Sequence, residues 1–432
     1  MNRIGIRHED KYKFERRTPI IPDHVNELTE KEGLSFFVEN SEKRIFKDQE
    51  YKDAGAVVAD DLSECDVIFG VKEMPENYFE EGKTYVFFSH VIKGQPYNMP
   101  MLRRLMEKKA TLIDYERIEG EKGQRLIFFG RYAGLAGMIN TLWTTGQRLL
   151  ANGIETPFAK LQQTRHYNSL DEAKENVFEI GNEIKTSGLS ESAKPCVIAV
   201  TGDGNVSKGA LEILDLLPGK SVSAEQLKNG DYEKNQVIIK VNLLVSDYMI
   251  PNGDFEFGLH HYINNPDQYT STIEDYLPNI DVFVNGIYWD EKYPRLITKN
   301  WLRKMDASNR LELKVIGDIT CDIHGSVECT EMATPIEDPV FVYNPQTDSF
   351  QMGFEGRGVA VMAVDILPSE LPREASVHFS EALKPYLKNF AESDFSKSLD
   401  QLNLPDEIKK AIIVHKGELT PDYKYLESSL AE

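Results

Sequence analysis

Two proton-handling side chains follow apolar runs in the first third of the sequence. Lys72, with Glu73 beside it, comes after CDVIFGV (65–71), and His90 ends TYVFFSH (84–90). Such runs read as buried strands, and open parallel sheets bind ligands at the carboxyl ends of their strands. A lysine and a histidine placed there can exchange protons with a carbonyl, a carbinolamine or an imine. Burial or a cationic neighbour draws a lysine pKa towards neutrality, and histidine titrates near it already. Alone, Lys72 reads as a solvated strand end and His90 as a hydrogen-bonded packing residue. Their recurrence at two equivalent strand ends is what points to chemistry.

The clearest nucleotide signal is CVIAVTGDGNVSKGALEIL (196–214). An apolar strand runs into Gly202-Asp203-Gly204-Asn205-Val206-Ser207, and an amphipathic helix follows. Gly202 permits the tight turn, Gly204 lets a pyrophosphate approach the backbone, and the helix N-terminus offers amides and a positive dipole end. Ser207 stands where a third glycine is expected, so Gly209-Ala210 are assigned the close helix packing. About 20 residues past the first glycine an NAD site places an acid at a strand end. Here GKSVSAEQL (219–227) offers Lys220, Ser221 and Ser223 instead, a set that suits a 2′-phosphate and favours NADP(H) over NAD(H).

The opening 17 residues carry Arg3, Arg7, Lys11, Lys13, Arg16 and Arg17 among Glu9, Asp10 and Glu15. Most of these read as a solvated strand and polar loop, but Arg17, just before TPIIP, is a candidate fork for a substrate carboxylate. DITCDIHGSVECT (318–330) clusters Asp318, Asp322 and His324 after a strand. No supporting ligand set accompanies them, so polar contact with substrate or nicotinamide is a better reading than a metal. His260 and His261 fall in a loop-like stretch. Neither a G-x-S-x-G nor a GxxxxGK[ST] motif occurs, which removes support for hydrolase and NTPase readings.

The elements that must position these groups alternate. LSFFVEN (34–40), TLIDYE (111–116) and RLIFFG (125–130) join the two runs above as strands, with a helix over 99–110. AGLAGMINTLWTTGQRLLANG (133–153) reads as a long helix whose Gly134 and Gly137 imply close packing. A second block follows, with strands over 196–200, 235–242, 280–289 and 311–320, and a largely helical segment from about Gly358. Alternation of this kind predicts α/β lobes with mostly parallel sheets.

The 432 residues suggest two or three domains, and 49 Lys+Arg against 70 Asp+Glu give a net charge of −21. That balance argues against general binding to nucleic acid or anionic membrane. No apolar run reaches the ~20 residues of a membrane span, and the start lacks the apolar core of a signal peptide. Four cysteines without CxxC spacing argue against a zinc or disulfide framework, and a reducing cytoplasm is the expected compartment.

With these motifs in view, the chain resembles the lysine-ketoglutarate reductase family, the amino-terminal module of α-aminoadipic semialdehyde synthase. The resemblance runs from RHEDKYKFERRTPIIPDHV (7–25) to GELTPDYKYL (417–426), through VKEMPE (71–76), FFSHVIK (87–93), FFGRYAGLAGMIN (128–140), VTGDGNVSKGA (200–210), GDITCDIHGSVE (317–328) and DILPSELPREAS (365–376). Fungal saccharopine dehydrogenases share much of the pattern; alanine dehydrogenase and the transhydrogenase α-subunit share it more distantly.

The resemblance implies two Rossmann-like lobes with the active site in the cleft between them. The first, discontinuous lobe spans 1–135 and is completed by 358–432; the second, spanning 136–357, binds the dinucleotide. It implies NADPH-dependent condensation of L-lysine with 2-oxoglutarate to saccharopine, with Lys72 and His90 as acid–base pair. By the same matching Arg17 and Lys93 are substrate or electrostatic contacts, Glu73 and Glu116 tune the lysine, and Arg125 and Arg131 are further substrate candidates. Gly202–Gly209 would hold the pyrophosphate, with Asp318 or Asp322 near the nicotinamide. The resemblance leaves room for a homo-oligomer and a separate saccharopine dehydrogenase partner. The rival readings are NAD-dependent lysine formation, another amino-acid dehydrogenase, and a nucleotide-binding module without catalysis.

Overall fold

The computed structural model describes residues 1–121, 123–233 and 237–431. The chain divides into two units, Met1–Phe129 with Pro372–Glu432, and Gly130–Leu371. These boundaries fall at 129/130 and 371/372, where 135/136 and 357/358 were expected. The reasons are local. Helix Gly130–Ala151 runs unbroken through 135/136, and strand Val359–Met362, just past 357/358, pairs with Val315–Asp318 of the second unit.

In the first unit Val57–Ala59, Phe36–Glu39, Ile4–Ile6, Val67–Phe69, Thr84–Phe87 and Thr111–Asp114 form consecutive parallel strands. Ile4–Ile6 is buried throughout and sits inside this sheet. With only three residues, its apolar signal is outweighed by the charged stretch that follows. The C-terminal segment adds Ile412–His415, antiparallel beside Thr111–Asp114, and a short return strand, Glu418–Leu419. Helix Pro372–Glu392 buries Phe379, Leu383, Leu387 and Phe390, spaced by three and four, in the same core as Ile4, Phe69 and Phe87.

RLIFFG (125–130) is not a strand. Ile412–His415 already occupies the free side of Thr111–Asp114, leaving no edge for it. Arg125 forms an isolated bridge to Glu119, and Phe129 stacks on Phe379 at 4.5 Å. The segment after Gly358 is likewise less helical than expected, holding strands Val359–Met362 and Ile412–His415.

The second unit orders Lys220–Ser221, Ile238–Leu243, Cys196–Thr201, Val282–Asn285, Val315–Asp318 and Val359–Met362 in parallel. An antiparallel hairpin, Val340–Asn344 with Ser349–Met352, closes one edge. Cys196–Thr201 is buried at every position, as a strand covered on both faces must be. Asn235 and Gln236, at the start of the strand expected over 235–242, lie outside the described residues. His260 and His261 sit on helix Leu259–Asn264 rather than in a loop, and His261 Nδ1 lies 2.9 Å from the Tyr269 hydroxyl. Among the described residues no helix is long and apolar enough to cross a membrane.

Candidate active site

Lys72 and His90 each lie three residues beyond neighbouring parallel strands, Val67–Phe69 and Thr84–Phe87. The pairing continues past the strands, since Phe88 N donates to Val71 O at 3.1 Å. His90 adopts φ of +52°, a left-handed conformation that costs a non-glycine residue about 1 kcal/mol. Two contacts hold it there: Asn98 Nδ2 donates to its carbonyl at 2.9 Å, and its Nδ1 lies 2.8 Å from Glu73 Oε1. Lys11 Nζ reaches the same Glu73 oxygen at 2.6 Å. Burial pushes the Glu73 carboxyl up, but the His90 hydrogen bond and the His90 and Lys11 charges outweigh it and hold it down at about 2. An ionised carboxylate only accepts, so Nδ1 of His90 carries the proton of that contact and Nε2 is the ring nitrogen that does not face Glu73.

The acids next to Lys72 are Glu9 and Glu15, which sequence reading placed only in a polar opening. Glu9 accepts from Val71 N at 2.7 Å and Lys72 N at 2.9 Å, fixing the backbone that carries the lysine. Burial, with repulsion from Glu15, pushes Glu9 up to about 7 against the pull of Arg7. Glu15 is pushed up by burial but held below its usual range by Arg17 and, to a lesser extent, the Lys72 charge. Lys72 Nζ stands 5.7 Å from the centre of the Tyr12 ring. The signal for both acids was available, an acid two positions after Arg7 and two before Arg17; their burial was not.

Several expected substrate contacts have other partners. Arg17 gives Nε and Nη2 to Glu15 at 2.8 and 2.5 Å and stacks over Phe129, so this fork is occupied by the chain itself. Glu73 binds His90 and Lys11, and Glu116 pairs with Arg125; each was expected to tune the lysine. Arg131 belongs to the second unit, where its guanidinium grips Glu212 through three contacts of 2.8–3.1 Å. Lys93 is exposed, with no ion pair among the described residues.

The glycine loop joins Cys196–Thr201 to helix Asn205–Leu214. Gly202 has φ of +85°, where a Cβ would sit 2.9 Å from Ile287, whereas a Cβ on Gly204 would meet nothing within 4 Å. Asp203, Gly204 and Asn205 are exposed at the start of helix Asn205–Leu214, with Val206 half-buried. Ser207 replaces a glycine productively, since its hydroxyl donates to Thr201 O at 2.7 Å and ties helix to strand. Gly209 meets helix Gly130–Ala151: a Cβ there would lie 2.1 Å from Arg131 O, and one on Gly134 would lie 1.9 Å from Val206 O. Glycine on both helices therefore brings their backbones together behind the loop.

The ribose end differs from expectation. The strand beside Cys196–Thr201 is Ile238–Leu243, and Lys220–Ser221 lies beyond it on the sheet edge. Ser223 caps helix Ala224–Asn229 by accepting from Gln226 N at 3.2 Å. A fixed spacing rule thus leads to an edge strand and a helix cap rather than to the strand beside Cys196–Thr201. The end of Ile238–Leu243 offers Asn242, whose Oδ1 is buried without a partner among the described residues, and then Leu244. Asp247 uses its carboxylate on Leu244 N at 2.7 Å.

Asp318 is buried at the end of Val315–Asp318 and accepts from Thr330, Asn285, Thr320 and Cys321 N at 2.5–3.2 Å. Burial raises its pKa in spite of these bonds. Asp322 is exposed. Among the described residues no cluster of three His, Cys, Asp or Glu is placed to hold a metal.

Comparison with known proteins agrees with both units. Over 98% of the chain it is 38% identical to the α-aminoadipic semialdehyde synthase of Arabidopsis thaliana, and it spans 41% of that protein's length. It is 28% identical to the saccharopine dehydrogenase [NAD(+), L-lysine-forming] of Yarrowia lipolytica, covering 91% of this chain and 93% of that one. A solved L-alanine dehydrogenase shares the fold, with a TM-score of 0.63 at 18% identity over 99% of both chains. Family models for the N-terminal and C-terminal domains of alanine dehydrogenase/PNT match residues 5–136 and 178–422, and the chain belongs to that family.

Proposed function

We propose that the chain is an oxidoreductase that condenses L-lysine with 2-oxoglutarate and reduces the product to saccharopine with NADPH. The observation that carries this reading is the His90–Glu73 contact of 2.8 Å, with Lys72 preceding Glu73 in the chain. The lysine ε-amine attacks the keto carbon, giving a carbinolamine that loses water to an imine. His90 Nε2 and Lys72 Nζ take the proton that leaves the amine and supply the one that departs with water. Glu73 keeps the imidazole oriented and its tautomer fixed. When bound, the nicotinamide nucleotide supplies the hydride that reduces the imine carbon. Gly202, Gly204 and the N-terminus of helix Asn205–Leu214 would hold its pyrophosphate, which the open approach at Gly204 accommodates.

The preference for NADPH rests on the end of Ile238–Leu243, where the nearest following carboxylate, Asp247, is engaged by Leu244 N. Lys220, Ser221 and Ser223 no longer support it. Of the two acids after Val315–Asp318, exposed Asp322 is the better nicotinamide contact, because Asp318 is surrounded by four donors. The proposed compartment is the cytoplasm, on composition alone.

The test follows absorbance loss from NADPH and from NADH with lysine and 2-oxoglutarate together and each alone. The reading expects loss only with both substrates, and higher kcat/KM for NADPH. Faster turnover with NADH would favour the lysine-forming relative's cofactor, and no loss in any mixture would contradict catalysis.

A further inference from the structure

A cavity of about 460 Å³ opens in the first unit beside Glu73, walled by Asp10, Lys11, Glu73, Glu76, Tyr97 and Met101 among others. Three carboxylates face one ammonium. They are not equally satisfied. Asp10 Oδ2 accepts from Arg7 Nη2 at 2.6 Å, and Glu73 Oε1 serves both His90 and Lys11. Glu73 Oε2, on a side chain only 9% exposed, is buried with no hydrogen-bond partner among the described residues. A buried carboxylate oxygen without a donor is costly, and a ligand N–H that reached it would relieve that cost. Glu76 is exposed and has no partner among the described residues. Tyr97 and Met101 add apolar surface for a methylene chain.

We propose that this cavity receives the ammonium-bearing α-carbon end of the amine substrate, with Glu76 and Glu73 Oε2 accepting from its α-ammonium and Lys11 facing its carboxylate. The assignment rests on the lysine-condensing reading above. It gives that reading a basis for choosing between its substrates: a zwitterionic head with a cationic tail suits a wall rich in carboxylate, and a dicarboxylate keto acid is repelled. Because Glu73 touches His90 through its other oxygen, an amino acid held here by its α-carbon can extend its side chain towards that histidine.

Calorimetric titration of the full chain with L-lysine, L-norleucine and 2-oxoglutarate tests this, using wild type, Glu76→Gln and Glu76→Lys. The position is exposed, so both variants keep the fold. Loss of one charged partner should weaken lysine binding about tenfold in Glu76→Gln and about a hundredfold in Glu76→Lys. Norleucine, which keeps the α-carbon end but lacks the ε-amine, should weaken by the same factors, while 2-oxoglutarate binding does not fall. Lysine affinity indifferent to both variants overturns the assignment, as does norleucine affinity that does not follow lysine. If lysine binds with this dependence but wild type oxidises no NADPH, the catalytic reading falls and the cavity assignment stands. If wild type turns over lysine yet its affinity ignores Glu76, the reverse holds. Absence of lysine binding to wild type overturns both.

Discussion

His90 Nδ1 and Glu73 Oε1 lie 2.8 Å apart across neighbouring strand ends, and the carboxylate in that contact is held ionised down to about pH 2. A folded-state pKa below the ordinary 4.5 means Glu73 stabilises the fold above that pH and loses the contribution as pH falls towards about 2. Glu73→Gln should therefore melt below wild type at neutral pH, the two converging under acid. It should also cut kcat/KM by about ten- to a hundredfold, the usual loss when the partner orienting an active histidine is removed. Parallel melting curves from pH 7 to 3 would contradict the ionised pair.

Glu370 has the opposite sign. It is fully buried, accepts from Asn140 Nδ2 at 2.8 Å and Arg165 N at 2.9 Å, and burial raises it to about 7. Its contribution is complete below the ordinary value near 4.5 and is lost as pH rises through 7. Glu370→Gln should compare more favourably with wild type at pH 8 than at pH 5 in thermal melting. A difference independent of pH would contradict this.

The glycines divide into structural and ligand-facing. A Cβ on Gly134 would lie 1.9 Å from Val206 O, backbone that cannot swing away. Gly134→Ala should destabilise the second unit by about 1–3 kcal/mol, the cost of overpacking a close crossing. Gly204→Ala meets open space, so it should leave melting nearly unchanged and weaken nucleotide binding measured by fluorescence. Equal melting losses would remove the distinction.

Much of this was legible in the sequence because periodicity survives wherever an element is long or buried on both faces. CVIAV, CDVIFGV and TYVFF became strands with Gly202, Lys72 and His90 just past their carboxyl ends, and Gly134 and Gly137 met close neighbours as their helix cost implied. What failed depended on length, burial or partners distant in the chain. Ile4–Ile6 is too short to outweigh its charged neighbours, and RLIFFG lost its sheet edge to a strand nearly 290 residues later. Arg17 read as a free fork because nothing in its type reveals that Glu15 is buried against it. Counting from Gly202 leads to Lys220–Ser221 on the sheet edge, because it cannot see that Ile238–Leu243 takes the place beside Cys196–Thr201.

The central claim is that Lys72 and His90 move the protons while other residues hold the nucleotide. Turnover and NADPH binding of the Lys72→Met, His90→Gln double variant test it most directly. We expect turnover to fall by about a thousandfold or more, within the range for loss of acid–base catalysis, with NADPH affinity within a fewfold of wild type. Wild-type turnover in the double variant would contradict the account.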